Sequence, residues 1–551
     1  MVAQGVSTAP AKEYQAIASR AQQSVLDSLP AQCRLSSTAK ADLLSNLPSA
    51  VEDCGLLGPK QLEITSLTAS VLLQRIHARE LTAVEATEAF CARAAIVHQL
   101  VNCLVDFFPD EAIASAAALD KELEKTGKPV GPLHGLPISI KDIMNVKGHV
   151  TTMGFTAWYH NEPASSDASV VKVMRDAGAI IFARTTCPQS GMALETVSNL
   201  WGRTLNAINP DFGSGGSSGG EAVLTALKGT PASPLSTDIG GSIRGPAAFN
   251  GLYGMRPSHD RVPRTGLVHP ALGNVSIKSA AGPVCHSMED LKLFIKLIVT
   301  HPTMPYETSC ILPFWDDSAS APKKLRVGLM TTDGVVEPHP PVQRALRESA
   351  ARLHAAGHEV VDFRAPFDCW QAAMTTFALY FQTGAKEAKA LLEMAGEPPI
   401  HQFDYNLKIF GVKELTAPEI FHHSRQQAAC KARFQQAWDE AKIDCLLCPV
   451  APQAAVPHDF PVWWGYTSLF NLLDYPSVVM PVKGVKVDQK LDEKDASYQP
   501  RDNPFDRPNW EIYDAKRWKS QPVCVQIVGR PFRDEYLIAV SEAMDTVINP
   551  R

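Results

Sequence analysis

Apolar positions recur at helical spacing over residues 13–29 and 39–47, with Pro30 between them, and Leu57-Gly58-Pro59 then breaks the pattern. Thr82-Ala83-Val84-Glu85 reads as a capping box, in which each side chain can satisfy the other's backbone N–H; the apolar rows behind it predict a helix to about residue 97. From Gly131 the texture changes to short β-rich runs, glycine turns and helices. A strand is predicted at 136–140, a helix capped by Asp167 and ended by Gly178, and a second strand at 179–183. The stretch 211–256 is rich in Gly and Ser. Helix signal at 222–227 and strand signal at 235–239 interleave with those glycines, so it reads as packed structure and not as a linker. Beyond it the pattern predicts strands at 324–330, 358–363, 475–483 and 522–529, a helix at 342–356 ended by Gly357, a mainly helical region at 369–440, and a helix from about Asp534. Six charged residues among the eight from Asp488 to Asp495 predict a solvated loop. Alternating helices and strands favour an α/β fold with a mixed or mostly parallel sheet.

Composition narrows the function classes. A chain of 551 residues, 45% hydrophobic and 20% charged, can bury a normal core. Net charge is −6 and no basic block stands out, which argues against a nucleic-acid partner. No apolar run reaches the roughly 18 residues of a membrane span, and the first ten residues lack the basic and apolar regions of a secretory signal. A soluble, cytoplasmic protein is expected. The twelve cysteines are scattered, which predicts reduced thiols. Cys445-Leu446-Leu447-Cys448 could be half a zinc site, but no second pair follows and the neighbours are apolar, so a buried strand is the preferred reading. No metal and no cofactor are expected.

Three segments carry candidate chemistry. The first, Gly135-Leu136-Pro137-Ile138-Ser139-Ile140-Lys141-Asp142, places a lysine at a strand end. Taken alone, Lys141 is more simply a side chain reaching solvent; buried, it would be an amine with a lowered pKa, able to act as a base. The second, Gly215-Gly216-Ser217-Ser218-Gly219-Gly220, matches the G-x-S-x-G pattern of a nucleophile elbow and fails as a phosphate-binding loop. The third is Thr237-Asp238-Ile239-Gly240-Gly241-Ser242-Ile243-Arg244. Two glycines before a serine leave backbone N–H groups uncovered, and such a nest can bind an oxyanion. Asp238 and Arg244 flank the turn and are read as an ion pair that braces it.

Together these segments resemble the amidase signature family, with intervals of 76 residues from Lys141 to Ser217 and 25 from Ser217 to Ser242. Cys187-Pro188-Gln189-Ser190 and Tyr475-Pro476-Ser477 fall where relatives have related segments. The tail, with Asn503-Pro504-Phe505 and Gln526-Ile527-Val528-Gly529, is most similar to fungal acetamidase-type amidases. The resemblance runs from about residue 65 to the end. It implies one large α/β fold, a mixed twisted sheet covered by helices on both faces. Residues 1–62 would form an N-terminal helical arm and 63–551 the catalytic domain, with a signature core at about 131–260 and a substrate-side helical insert at about 369–440. It further implies Ser242 as the acylated nucleophile, Ser217, after a cis peptide, as proton relay, and Lys141 as base. The N–H groups of Ile239, Gly240, Gly241 and Ser242 would form the oxyanion hole beside Asp238, and Gly191 would lie by the substrate.

The implied partners are a small amide and water, with a homodimer left open. Three alternatives compete: an α/β-hydrolase-like esterase with Ser217 as nucleophile and a distant histidine, an amidotransferase subunit, and a non-catalytic binding protein on the same fold. Short aliphatic amides are the first expectation for the substrate. Trp370, Phe377, Tyr380 and Phe381 have the spacing of core residues, whereas Trp463-Trp464-Gly465-Tyr466 is the preferred source of pocket aromatics, because adjacent tryptophans cannot easily share one core.

Overall fold

The computed structural model describes residues 13–271, 273–302, 304, 307–311 and 314–550. Its strands fall into two main groups. A small sheet has the order β1 (Leu104–Phe107), β3 (Ile180–Thr185), β2 (Pro137–Lys141), with β2 parallel and β1 antiparallel to β3. A two-stranded ribbon joins β4 (Val197–Ser198) to β5 (Gly202–Arg203). The large mixed sheet uses β6 (Ser233–Asp238), β7 (Tyr253–Arg256), β8 (Ala280–Cys285), β9 (Arg326–Leu329), β10 (Glu359–Asp362), β11 (Cys445–Pro449), β12 (Ser477–Lys486) and β13 (Pro522–Val528). Their spatial order is β10-β9-β11-β13-β12-β7-β8-β6. Edge strand β6 lies alongside β2, which brings the two sheets together. The seam matters because Lys141 ends β2 and Thr237-Asp238 ends β6.

Both strands at the seam are buried at every position. A strand covered on both faces needs apolar or fully bonded side chains throughout, and Ile138, Ile140 and Leu235 supply the first kind. The helix Ala83–Val101 starts at the expected box: Thr82 Oγ1 accepts from Glu85 N at 3.0 Å, and Glu85 Oε2 accepts from Thr82 N at 3.0 Å. The helix Glu13–Asp27 packs on β1 and buries Ile17, Ala21 and Val25 in the same apolar cluster. Cys445 and Cys448 lie on β11 in the core, and every described cysteine is a free thiol.

Two local expectations are corrected. The helix Ser169–Asp176 is capped by Ala168, not by Asp167. The Asp167 carboxylate instead accepts from Lys147 N at 2.8 Å and pairs with Arg175 at 3.0 Å, a long-range use that its local spacing could not reveal. In the charged segment 488–495, Asp492 is wholly buried, where it accepts from Arg344 Nε at 2.7 Å and Nη2 at 2.8 Å. The rest of that segment is a loop, as its charge density predicts.

Candidate active site

Lys141 is fully buried, and its amine meets three hydroxyls: Ser217 Oγ at 2.7 Å, Ser218 Oγ at 2.9 Å and Thr237 Oγ1 at 2.9 Å. Burial, which disfavours the ammonium, outweighs the nearby Cys187, Asp238 and Glu221 and pushes its pKa down to about 8. The strand end is held by its neighbour: Asp142 accepts from Arg184 Nη2 at 2.7 Å and from Thr152 N at 3.1 Å. Glu221, on the helix Gly219–Ala226, accepts from Ser139 at 2.8 Å and Thr185 at 2.6 Å, which locks that helix to β2 and β3. Nothing local marks Ser218, Thr237 or Glu221 for these roles, although Ser218 lies within the second segment and Thr237 opens the third.

The Gly216–Ser217 peptide bond is cis. Gly216 admits no side chain, since a methyl group there would come within 2.5 Å of Ala193 O and 2.7 Å of Glu195 N. The glycine-rich run therefore lies tightly against residues 193–195.

Asp238 and Arg244 pair as expected, both without solvent exposure, through Arg244 Nε at 3.0 Å and Nη2 at 2.9 Å. Burial alone would raise the Asp238 pKa. The adjacent Arg244 charge and hydrogen bonds, with Arg256 and Asn471, override this and hold the carboxyl well below the usual carboxylate range. Arg244 also donates to Asn471 Oδ1 at 2.5 Å and Gln526 Oε1 at 2.9 Å. Removing one partner of such a pair leaves a buried charge uncompensated, so Arg244→Met is expected to lower stability by about 3–5 kcal/mol in urea unfolding. A loss within about 1 kcal/mol would show that the turn holds without its brace.

The turn's peptide planes are set from outside. Tyr380 donates its hydroxyl to Ile239 O at 2.6 Å, and Thr467 donates to Gly240 O at 2.7 Å. Because C=O and N–H of a trans peptide point in opposite directions, these bonds aim the N–H groups of Gly240 and Gly241 away from Tyr380 and Thr467. The Gly241 N–H is then taken by Asp238 Oδ1 at 2.9 Å, a departure from the expected set of four free donors. The N–H groups of Ile239, Gly240 and Ser242 have no acceptor among the described residues.

Ser217, Ser242, Thr237, Ile239 and Gly191 line a cavity of about 140 Å³. Leu267, Ile277, Tyr380, Phe381 and Phe403 line it too, and its lining is mainly apolar. The aromatic expectations are thus partly reversed. Tyr380 and Phe381 line the cavity, while Trp463 and Trp464 are core residues, each 2% exposed. Trp463 stacks on Trp370 and donates to Asp333 Oδ2 at 2.6 Å. Trp464 backs the glycine turn, where a methyl group on Gly240 would come within 2.8 Å of its ring. Adjacent tryptophans share one core here because one turns to Asp333 and the other to Gly240.

A family model described as Amidase matches residues 85–538. The chain belongs to the amidase family. This amidase is 49% identical over 544 residues to an amidase of Gibberella zeae, covering 97% of this chain and 99% of that protein. An acetamidase of Emericella nidulans is 38% identical over 507 residues, covering 90% and 91%. Among solved structures, a fatty acid amide hydrolase superposes with a TM-score of 0.93 at 30% identity, covering 98% of this chain and 95% of that one. The amidase is accordingly an amide hydrolase, and its fold is that of the amidase signature enzymes. No described helix is long and apolar enough to cross a membrane.

Proposed function

We propose that this amidase cleaves carboxylic amides through an acyl-enzyme on Ser242, with Ser217 relaying a proton to and from a neutral Lys141. The observation that carries the reading is the set of three hydroxyls around the buried Lys141 Nζ, one of them that of Ser217, which lines the same cavity as Ser242. Ser218 can give its own proton to Thr237 O, 3.3 Å away, so its oxygen faces the amine as an acceptor. A neutral amine has two N–H bonds and one lone pair. Ser218 and Thr237 can receive the former, and the lone pair is then left for the Ser217 proton.

Lys141 takes that proton as Ser217 takes one from Ser242, whose oxygen attacks the amide carbonyl. The three free N–H groups stabilise the resulting oxyanion. The proton returns through Ser217 to the nitrogen, the C–N bond breaks and the amine or ammonia leaves. Water then repeats the sequence on the ester and releases the carboxylate. At pH 7 an ordinary lysine would need about 4–5 kcal/mol to be neutral. With its pKa at about 8 Lys141 needs only about 1 kcal/mol, which leaves roughly one molecule in ten ready to react.

The substrate we infer is an amide with an apolar acyl group larger than acetyl, because apolar side chains, among them Leu267, Ile277, Phe381 and Phe403, make up most of the cavity lining. The likeness to the fatty acid amide hydrolase supports this over the short amides implied by the acetamidase relatives. Each buried methylene contributes about 0.8 kcal/mol, so kcat/KM is expected to rise about fourfold per carbon from acetamide upward until the cavity is full. Phe381→Ala should flatten that rise, and ammonia release across a series of straight-chain amides measures both. A constant kcat/KM along the series would refute the acyl-pocket assignment. The rival with Ser217 as nucleophile has less support, since its hydroxyl faces a lysine rather than a histidine.

A further inference from the structure

Thr196 is buried and does not line the cavity, yet its hydroxyl holds both ends of the stretch that bears Ser217. The hydroxyl donates to Gly215 O at 2.8 Å, and its oxygen accepts from Gly219 N at 3.1 Å. The approach is close, since a methyl group on Gly219 would come within 2.4 Å of Thr196 Oγ1. Between these two ends the chain has little else to fix it. No hydrogen bond among the described residues involves the backbone of Gly216 or Ser217, and the Ser217 hydroxyl meets Lys141 alone.

The Thr196 hydroxyl stands on a firm base. Thr196 O accepts from Thr204 N at 3.0 Å, next to the β4–β5 ribbon. Its neighbour Glu195 is buried and accepts from Arg203 Nη1 at 2.6 Å, His458 Nδ1 at 2.9 Å, Gln402 Nε2 at 2.9 Å and Asp459 N at 2.9 Å. The stretch that Thr196 grips also touches the nucleophile's own segment. A methyl group on Gly215 would come within 2.7 Å of Pro246 Cα, in the helix Arg244–Phe249, and Ser218 N donates to Ser242 O at 3.2 Å. A shift of Gly215 or Gly219 would therefore move Ser217 relative to both Lys141 and Ser242.

We propose that Thr196 is the positioning residue of the proton relay: its hydroxyl sets where Ser217 stands between Lys141 and Ser242, and it governs the rate without touching the substrate. This rests on the relay reading of Ser217. Misplacing a reacting group by about 1 Å can cost about a hundredfold in rate. Substrate binding belongs to other residues and is left as it is.

The test measures kcat and KM for hexanamide, per folded enzyme, in Thr196→Val, Thr196→Ala and Thr196→Ser, with thermal unfolding recorded alongside. Valine and alanine both remove the hydroxyl. Alanine places no methyl group against Gly215 O, so it carries the test if the valine variant does not fold. Both should lose about tenfold to a hundredfold in kcat while KM stays within about twofold of wild type. The serine variant keeps the oxygen and should remain within about threefold of wild type in kcat. A wild-type kcat in the alanine variant, a serine variant as impaired as alanine, or a loss that falls on KM would overturn the role given to Thr196. Ser217→Ala run alongside separates the two failures. A kcat near wild type in that variant would sink the relay reading and this proposal with it, whereas its inactivity leaves the Thr196 result to decide the proposal by itself.

Discussion

Replacing Ser242 by alanine is expected to lower kcat by on the order of 10⁵–10⁶, because loss of the nucleophile alone costs nearly as much as loss of the whole catalytic unit. The hydroxyl is not a structural brace: no hydrogen bond to its side chain accompanies the pairing of Ser242 O with Ser218 N at 3.2 Å. Thermal stability should accordingly stay close to wild type, so inactivity cannot be blamed on unfolding. Intact-mass spectrometry during turnover supplies the second readout. Wild type should carry the acyl group of a slow substrate and Ser242→Ala should not. If Ser217→Ala proved the more damaged of the two, with the acyl adduct still formed in Ser242→Ala, the nucleophile would have to be moved to Ser217.

Lys141→Ala is expected to cost on the order of 10³–10⁴ in kcat/KM, the range of a general base. The pH dependence identifies the cause. The reactive form is the deprotonated amine, so activity should climb through pH 6 and 7 and level off above about pH 8. The sign follows from burial, which lowers the pKa and enlarges the neutral fraction at a given pH. Lys141→Ala should lose the rising limb along with the rate. A wild-type profile flat from pH 5 to 9, with chemistry rate-limiting, would remove Lys141 as the base.

The strands and helices that carry these residues were legible from sequence because each has a local signal. The Thr82 capping box, the apolar run into Lys141 and the glycine turn before Ser242 all recur in the structure where spacing placed them. The Asp238–Arg244 pair was legible for the same reason, since six residues across a tight turn bring opposite charges together. What escaped depends on partners far along the chain. Ser218 and Thr237 meet Lys141 across 77 and 96 residues, and Tyr380 reaches Ile239 across 141. The tryptophans misled because adjacency says nothing about rotamer: Trp463 and Trp464 satisfy one core by diverging, and the helix Cys369–Tyr380 gives the cavity an aromatic only at its last turn.

Arg244 reaches Gln526, a residue on β13 and 282 positions downstream. A ribosome that has finished every signature motif has thus still to make the strand that anchors the guanidinium. Until that final stretch emerges, the newborn polypeptide carries Asp238 and Arg244 without one of the contacts that hold the guanidinium in place.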